Sequence, residues 1–283
     1  MRPDWLRVRL PRGKNFTEIK NILREKQLHT VCEEALCPNI GECFEQRTAT
    51  FLILGEICTR QCSFCAVNKG IPSILNEEEP RRIAEAAQRM KLQYIVITSV
   101  TRDDLPDGGA STYARTIRII HECIEDCKIE VLIPDFQGNL KSLTTVLNAY
   151  PDILNHNIET VPRLYPHVRP MADYMRSLEL LRKVREVQPS ITTKSGLMLG
   201  LGETWSEIID SMKAIKSAGC DILTLGQYLS PKRNALPIHR YYTPEEFEKL
   251  KKEGMRLGFK HVESGPLVRS SYHAKMQSDM VHY

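Results

Sequence analysis

From residue 50 onward the chain alternates short apolar runs with amphipathic stretches, six of each in strict order. The apolar runs are "TFLILGE" (50–56), "YIVITSV" (94–100), "IEVLIPD" (129–135), "ILNHNIET" (153–160), "TTKSGLMLG" (192–200) and "DILTLGQYL" (221–229). Several are nearly continuous, as expected of parallel strands covered on both faces. Between them lie helical patterns. Tyr113, Ile117, Ile120 and Ile124 form one stripe of period 3.6, and Trp205, Ile208, Ile209, Met212 and Ile215 another. Thr204 suits the N-cap of the second of these helices and Gly219 its C-terminal turn. "NEEEPRRIAEAAQRMK", "NLKSLTTVLNAY", "MRSLELLRKVREVQ" and "TPEEFEKLKKEGMRLG" supply the other four. Such alternation implies α/β architecture, a parallel sheet wound by right-handed crossovers. Six units are two short of a closed eightfold barrel. A partial (β/α)6 TIM-like barrel fits the count, and an open doubly wound sheet shares the pattern. The barrel then spans residues 50–258, with an N-terminal extension (1–49) and a C-terminal tail (259–283).

At 283 residues the chain is long enough to bury a large core without disulfides. It contains no apolar run near the roughly 20 residues of a membrane span. The first residues, "MRPDWLRVRLPRGKNF", contain no apolar signal core with a small-residue cleavage site, which points to the cytoplasm. Residues 1–26 hold eight Lys or Arg against three Asp or Glu. That bias reads as a solvated arm or as a docking surface for an acidic partner. Aromatic residues are 7% and do not interleave with the basic ones, so nucleic acid is not an expected partner.

Nine cysteines are present, and six of them crowd into residues 32–65. In a reducing compartment, clustering of this kind indicates metal rather than disulfides. "CTRQCSFC" places Cys58, Cys62 and Cys65 at C-x3-C-x2-C, directly after the first strand, where α/β proteins bind ligands. Three thiolates hold three irons of a four-iron cube and leave the fourth iron open for chemistry. A zinc knuckle completed by a distant ligand is the structural alternative. Arg60, Gln61 and Ser63 make the loop polar, against simple burial of the thiols. Upstream, Cys32, Cys37 and Cys43 stand at C-x4-C-x5-C, a spacing that suits a second iron–sulfur site or a structural zinc.

C-x3-C-x2-C with Phe64 before the last cysteine resembles the signature of the radical S-adenosylmethionine superfamily. With the second trio, the chain resembles the lipoyl synthase family. "RDDLPDGGA" (102–110), "VLIPDF" (131–136), "HNIETVPR" (156–163), "LGLGET" (199–204) and "GPLVRSSYHA" (265–274) resemble that family's segments in order, so the likeness covers residues 16–275. The resemblance implies two 4Fe–4S clusters and S-adenosylmethionine as cofactors. It implies that Cys58, Cys62 and Cys65 hold the radical-forming cluster. Cys32, Cys37 and Cys43 then hold an auxiliary cluster, with Ser271 of "RSSY" as an oxygen ligand and Ser270 as the alternative. It implies insertion of two sulfur atoms at C6 and C8 of a protein-bound octanoyl-lysine, with the auxiliary cluster as sulfur donor. Implied partners are octanoylated lipoyl-carrier domains (2-oxoacid dehydrogenase E2 subunits and the glycine cleavage H protein), a ferredoxin- or flavodoxin-type electron donor and an iron–sulfur carrier.

Asn157 and Glu159 alternate on one expected strand and so share a face, where they can meet the cofactor's ribose or amino group. Lys194, with Ser195, is placed for its carboxylate. "TSVTRDDLPDGG" lacks the Gly-Gly-Glu segment common in the superfamily, so the backbone near Thr98 and Ser99 is assigned to the methionine amino group. Asp103, Asp104 and Asp107 read as a solvated turn, since the spacing of a calcium loop is absent. Cys123 and Cys127, four apart on an expected helix, and Cys220 before a strand, read as structural. Two alternatives stay open: another radical sulfur-inserting enzyme of the biotin synthase kind, and a zinc-stabilised binding protein.

Overall fold

The computed structural model describes residues 3–8, 11–232 and 235–281. Its contacts divide the chain into two compact units. One comprises Val8–Arg60 and Ala66–Asp152; the other comprises Met1–Arg7, Gln61–Cys65 and Ile153–Tyr283.

The first unit begins with helix α1 (Lys14–Glu25), which buries Ile19, Ile22 and Leu23 along one side. Strand β1 (His29–Thr30) leads into the short helices α2 (Val31–Glu34) and α3 (Ile40–Glu45). Then come β2 (Thr50–Ile53), the two-residue strands β3 (Ile57–Cys58) and β4 (Asn68–Lys69), α4 (Glu79–Arg89), β5 (Tyr94–Ser99), α5 (Ala110–Cys123), β6 (Lys128–Leu132) and α6 (Leu140–Leu147). The strands run in the order β1-β2-β5-β6, with β1 antiparallel to β2 and the other pairs parallel. β2 is buried along its whole length. Its apolar run is what a strand under cover on both faces demands. Helix α5 turns Tyr113, Ile117 and Ile120 fully inward, each burial worth about 1.5–3 kcal/mol.

The second unit holds β7 (Ile153–Asn155), α7 (Tyr165–Val168), α8 (Tyr174–Val187), β8 (Thr192–Leu199), α9 (Trp205–Ser217), β9 (Ile222–Gln227), α10 (Pro244–Arg256), β10 (His261–Gly265) and α11 (Ala274–Asp279). Its strands pair in parallel in the order β7-β8-β9-β10. The core gathers Leu181, Leu197, Ile208, Met212, Leu225 and Phe247. Helices α9 and α10 each start in a capping box, Thr204 with Glu207 and Thr243 with Glu246. Each box satisfies otherwise unpaired N–H groups of the first turn. Gly219 follows α9 at φ +88, a left-handed conformation that glycine adopts without steric cost.

All six expected strand–helix units are present. The segment 259–283 adds a strand that the apolar pattern does not reveal. β10 reads "HVESG", pairs with β9 alone among the described residues and buries a single residue, Val262, so polar side chains conceal it. Trp205, expected on the apolar stripe of α9, is 41% exposed because it occupies the first helical position, ahead of the buried turns. Cys127 is not on a helix, since α5 closes at Cys123 and the chain turns before β6. No helix among the described residues is long and apolar enough to cross a membrane.

Candidate functional site

In the first unit, Cys58 ends β3 just after the buried strand β2. Its Sγ accepts two main-chain N–H groups, from Arg60 at 3.4 Å and from Thr101 at 3.3 Å. These two main-chain donors fix the position of the sulfur at the end of β3. The loop is locked on either side of that contact. Thr59 donates through both its backbone N–H and its hydroxyl to the Thr101 carbonyl, at 3.0 and 2.9 Å. Arg60, 4% exposed, forks onto Asp103 (2.7 and 2.9 Å) and reaches Asp135 at 2.5 Å. Burial disfavours the guanidinium charge, but the two carboxylates more than restore it and raise its pKa. The expected solvated turn is therefore corrected. Asp103 clamps Arg60, Asp104 pairs with Arg102, and Asp107 caps α5 by accepting from Gly109 and Ser111 N–H. Only Asp104 of the three is exposed.

Cys32, Cys37 and Cys43 lie on and between α2 and α3. Thr30 caps α2, its Oγ1 accepting from Glu33 N–H at 3.3 Å. The Cys37 N–H donates to the Cys32 carbonyl at 3.0 Å, closing the turn that links the first two thiols. Burial pushes the Cys32 thiol up to about 12, and the charge of Cys37 adds to it. Cys43 is raised by burial and then by Cys32 and Cys37. The three sulfurs are thus near enough for each to oppose the others' ionisation. A cation shared among them removes that opposition, so the trio fits a metal cluster. Thr98 and Ser99 close β5, and Thr98 Oγ1 donates to the Leu132 carbonyl at 3.0 Å.

In the second unit, Ser63 N–H donates to the Val168 carbonyl at 3.0 Å, and Phe64 packs on Val161, Leu164 and Val168. These contacts fix the turn that carries Cys62 and Cys65. Arg169, 9% exposed, donates through Nη1 to the carbonyls of Asn157 and Ile158 and to the Tyr165 hydroxyl. Burial opposes its charge; Tyr165, Glu159 and Cys62 favour it. Its Nε is buried with no partner among the described residues. A buried cation with an unsatisfied donor, whose charge is favoured by Cys62, suits a loop of thiols that holds an anionic cluster.

Asn157 and Glu159 do meet, with Nδ2 donating to Oε1 at 3.0 Å, but not by strand alternation. β7 ends at Asn155, and Glu159 sits at φ +69 in an isolated bridge to Leu197 of β8. A left-handed glutamate costs on the order of 1–2 kcal/mol, and strain of that kind gathers at functional sites. Burial raises its carboxyl pKa, against the pull of Arg169, Asn157 and Arg269. Asn157 Nδ2 also donates to Ser270 Oγ at 2.6 Å, whereas Ser271 makes no side-chain hydrogen bond among the described residues. Lys194 is fully buried in β8; Ser195, its neighbour, leaves Oγ buried without a partner among the described residues. Arg60, Arg169, Asp103 and Asp135 were not singled out from the sequence as site residues. Their signal in the sequence is charge inside turn segments after strands, which does not say which charges meet.

A model of the radical SAM superfamily matches residues 52–215, and one of the N-terminal domain of lipoyl synthase matches residues 1–37. A lipoyl synthase of Rubrobacter xylanophilus is 58% identical over 98% of this chain and 87% of its own length. One from Caldanaerobacter subterraneus is 56% identical over 96% and 95%. The chain belongs to the lipoyl synthase family. Among solved structures, HydG, a maturase of the [FeFe]-hydrogenase, matches with a TM-score of 0.59 at 14% identity, covering 88% of this chain and 67% of HydG. Methylornithine synthase matches with a TM-score of 0.55 at 15% identity, covering 86% and 73%. At such identities the likeness carries the fold alone, an α/β fold that the family model identifies as that of the radical SAM superfamily. Lipoyl synthase family membership also fixes the cofactors, 4Fe–4S clusters and S-adenosylmethionine.

Proposed function

We propose that the two cysteine trios divide the work of lipoyl synthesis between them. As a member of its family the chain is a radical SAM sulfurtransferase that acts on lipoyl-domain substrates. In our reading, Cys58, Cys62 and Cys65 hold the radical-forming cluster, and Cys32, Cys37 and Cys43, with Ser271, hold the auxiliary one. When bound and reduced, the first cluster with S-adenosylmethionine supplies a carbon radical able to take hydrogen from an unactivated C–H bond. The auxiliary cluster is a substrate, the source of both sulfurs inserted at C6 and C8 of octanoyl-lysine.

The protein's own part is to hold and orient. Arg60, clamped by Asp103 and Asp135, keeps two N–H groups directed at Cys58. Arg169 supplies a buried positive charge that Cys62 favours. Asn157, Glu159 and Lys194, with the backbone at Thr98 and Ser99, are our candidates for cofactor contacts. Oxygen is a harder ligand than thiolate and a poorer match to iron in a sulfide cluster, so Ser271 suits a cluster that is to be dismantled. The observation that carries this reading is the pairing of two distinct trios, one with two main-chain donors on Cys58 and one whose thiols oppose one another's ionisation.

We further propose that the carriers are E2 subunits of 2-oxoacid dehydrogenases and the glycine cleavage H protein. A ferredoxin or flavodoxin donates electrons, and an iron–sulfur carrier rebuilds the auxiliary cluster. The setting is the cytoplasm, where cysteines that form no disulfide among the described residues stay reduced. We also propose an organisation into an extension (1–49), a barrel (50–258) and a C-terminal segment (259–283), the last of which contains β10. The test is anaerobic incubation with an octanoyl-lysyl peptide, reductant and S-adenosylmethionine, followed by peptide mass. Two sulfur atoms gained per peptide is the expected result; a peptide of unchanged mass with cofactor cleaved overturns it.

A further inference from the structure

The segment after β10 lies against β9 at close quarters. A Cβ on Gly226 would stand 2.1 Å from the Val268 carbonyl oxygen, so only glycine permits the approach. Two residues beyond Val268, Ser270 Oγ accepts the 2.6 Å hydrogen bond from Asn157 Nδ2. The same amide group donates its other proton to Glu159 at 3.0 Å. Asn157 is 7% exposed, and its Oδ1 is buried with no partner among the described residues. One amide therefore joins a strained, buried carboxylate to a serine 113 positions away in sequence. It takes hold of one serine of "RSSY" and leaves the other with its hydroxyl uncommitted.

We propose that Asn157 is a positioning residue: by tethering Ser270 it presents Ser271, and S-adenosylmethionine, on engaging Asn157 and Glu159, weakens that tether. The proposal rests on the reading above, in which Ser271 is a cluster ligand and the Asn157–Glu159 pair contacts the cofactor. Its physical basis is that an amide has two N–H protons. Both are already in use here, so a bound polar group that takes one must displace Glu159 or Ser270. The serine is the neutral partner and the weaker acceptor, so it is the one released. Cofactor occupancy is thereby transmitted to the segment carrying the labile ligand.

Hydrogen exchange on the anaerobic holoenzyme tests this. The Val268 and Tyr272 amides donate to the carbonyls of Gly265 and Arg269, so their exchange reports the order of the segment. Asn157→Asp, which keeps the shape and loses the donor, and Ser270→Ala should each raise exchange about three- to tenfold, the range of one neutral hydrogen bond. The double variant should exceed neither single one, because both remove the same bond. S-adenosylmethionine should raise exchange in the parent protein and add nothing in Ser270→Ala. Unchanged exchange in both single variants, additive effects, or protection on adding S-adenosylmethionine overturns the tether. Should Ser270→Ala fold poorly, Ser270→Thr, which retains the acceptor, must restore parent exchange. Ser271→Ala tests the underlying reading separately. If it leaves the Mössbauer spectrum of the auxiliary cluster unaltered, the ligand assignment fails, while the exchange data still decide the tether.

Discussion

Two cysteine-bearing regions of the first unit are built in opposite ways. Around Cys58 the backbone is clamped before any metal is considered. Two N–H groups point at the sulfur, Thr59 is doubly bonded to Thr101, and a buried arginine is held by two aspartates. Around Cys32, Cys37 and Cys43 the local elements are short, although Thr50 hydrogen-bonds to Cys32 through its backbone and side chain. The helices are four and six residues long, α2 has one side-chain cap, and α3 has none. Burial and mutual repulsion keep Cys32 and Cys43 protonated in the absence of a cation. Under the proposed assignment, the difference teaches that a resident cofactor and a consumed one need different scaffolds. The first would need a mould that persists; the second would need ligands that are stable as neutral thiols between loadings.

The sharpest way to break this comparison is to exchange the fates of the two trios. Ala at Cys58, Cys62 or Cys65 should abolish cleavage of S-adenosylmethionine. Ala at Cys32, Cys37 or Cys43 should spare cleavage and abolish sulfur insertion. Assays of 5′-deoxyadenosine and of peptide mass on each variant decide it, with about eight irons per parent chain expected and about four remaining in either set. If the second set halts cleavage while four irons remain, the division of labour fails. A smaller effect is expected of Asp135→Asn, which leaves Arg60 buried with half its partners. A loss of about 3 kcal/mol is expected, read by chemical denaturation, together with iron lost from the Cys58 site first. Least of all, Thr30→Ala removes the cap of α2. It should cost about 1 kcal/mol and lower auxiliary iron occupancy while leaving cofactor cleavage intact. Equal sensitivity of both clusters to Thr30→Ala and Asp135→Asn would erase the contrast.

Much of this was legible in the sequence because it is local. Strand and helix order follows from apolar periodicity, and the α9 cap from "ETWSE". The thiol spacing puts three potential ligands on one loop. What escaped is long-range or conformational. Nothing in "CTRQC" says that Arg60 will find Asp103 and Asp135, 43 and 75 residues away. β10 was hidden because an edge strand with one buried residue has no apolar run to detect. Asn157 and Glu159 meet by a route that strand alternation does not supply, because the chain has already left β7 at Asn155. Ser270 and Ser271 are indistinguishable by composition, and only the bond to Asn157 separates them.

The positive φ of Glu159 limits what can ever replace it. Backbone comfort at that position favours glycine or asparagine, neither of which carries a carboxylate. Aspartate tolerates the twist but is one methylene short of the Asn157 amide, and glutamine has the length without the negative charge opposite Arg169. Evolutionary drift there is hemmed in from both directions, so the position should behave as nearly immutable although it is neither a nucleophile nor a metal ligand.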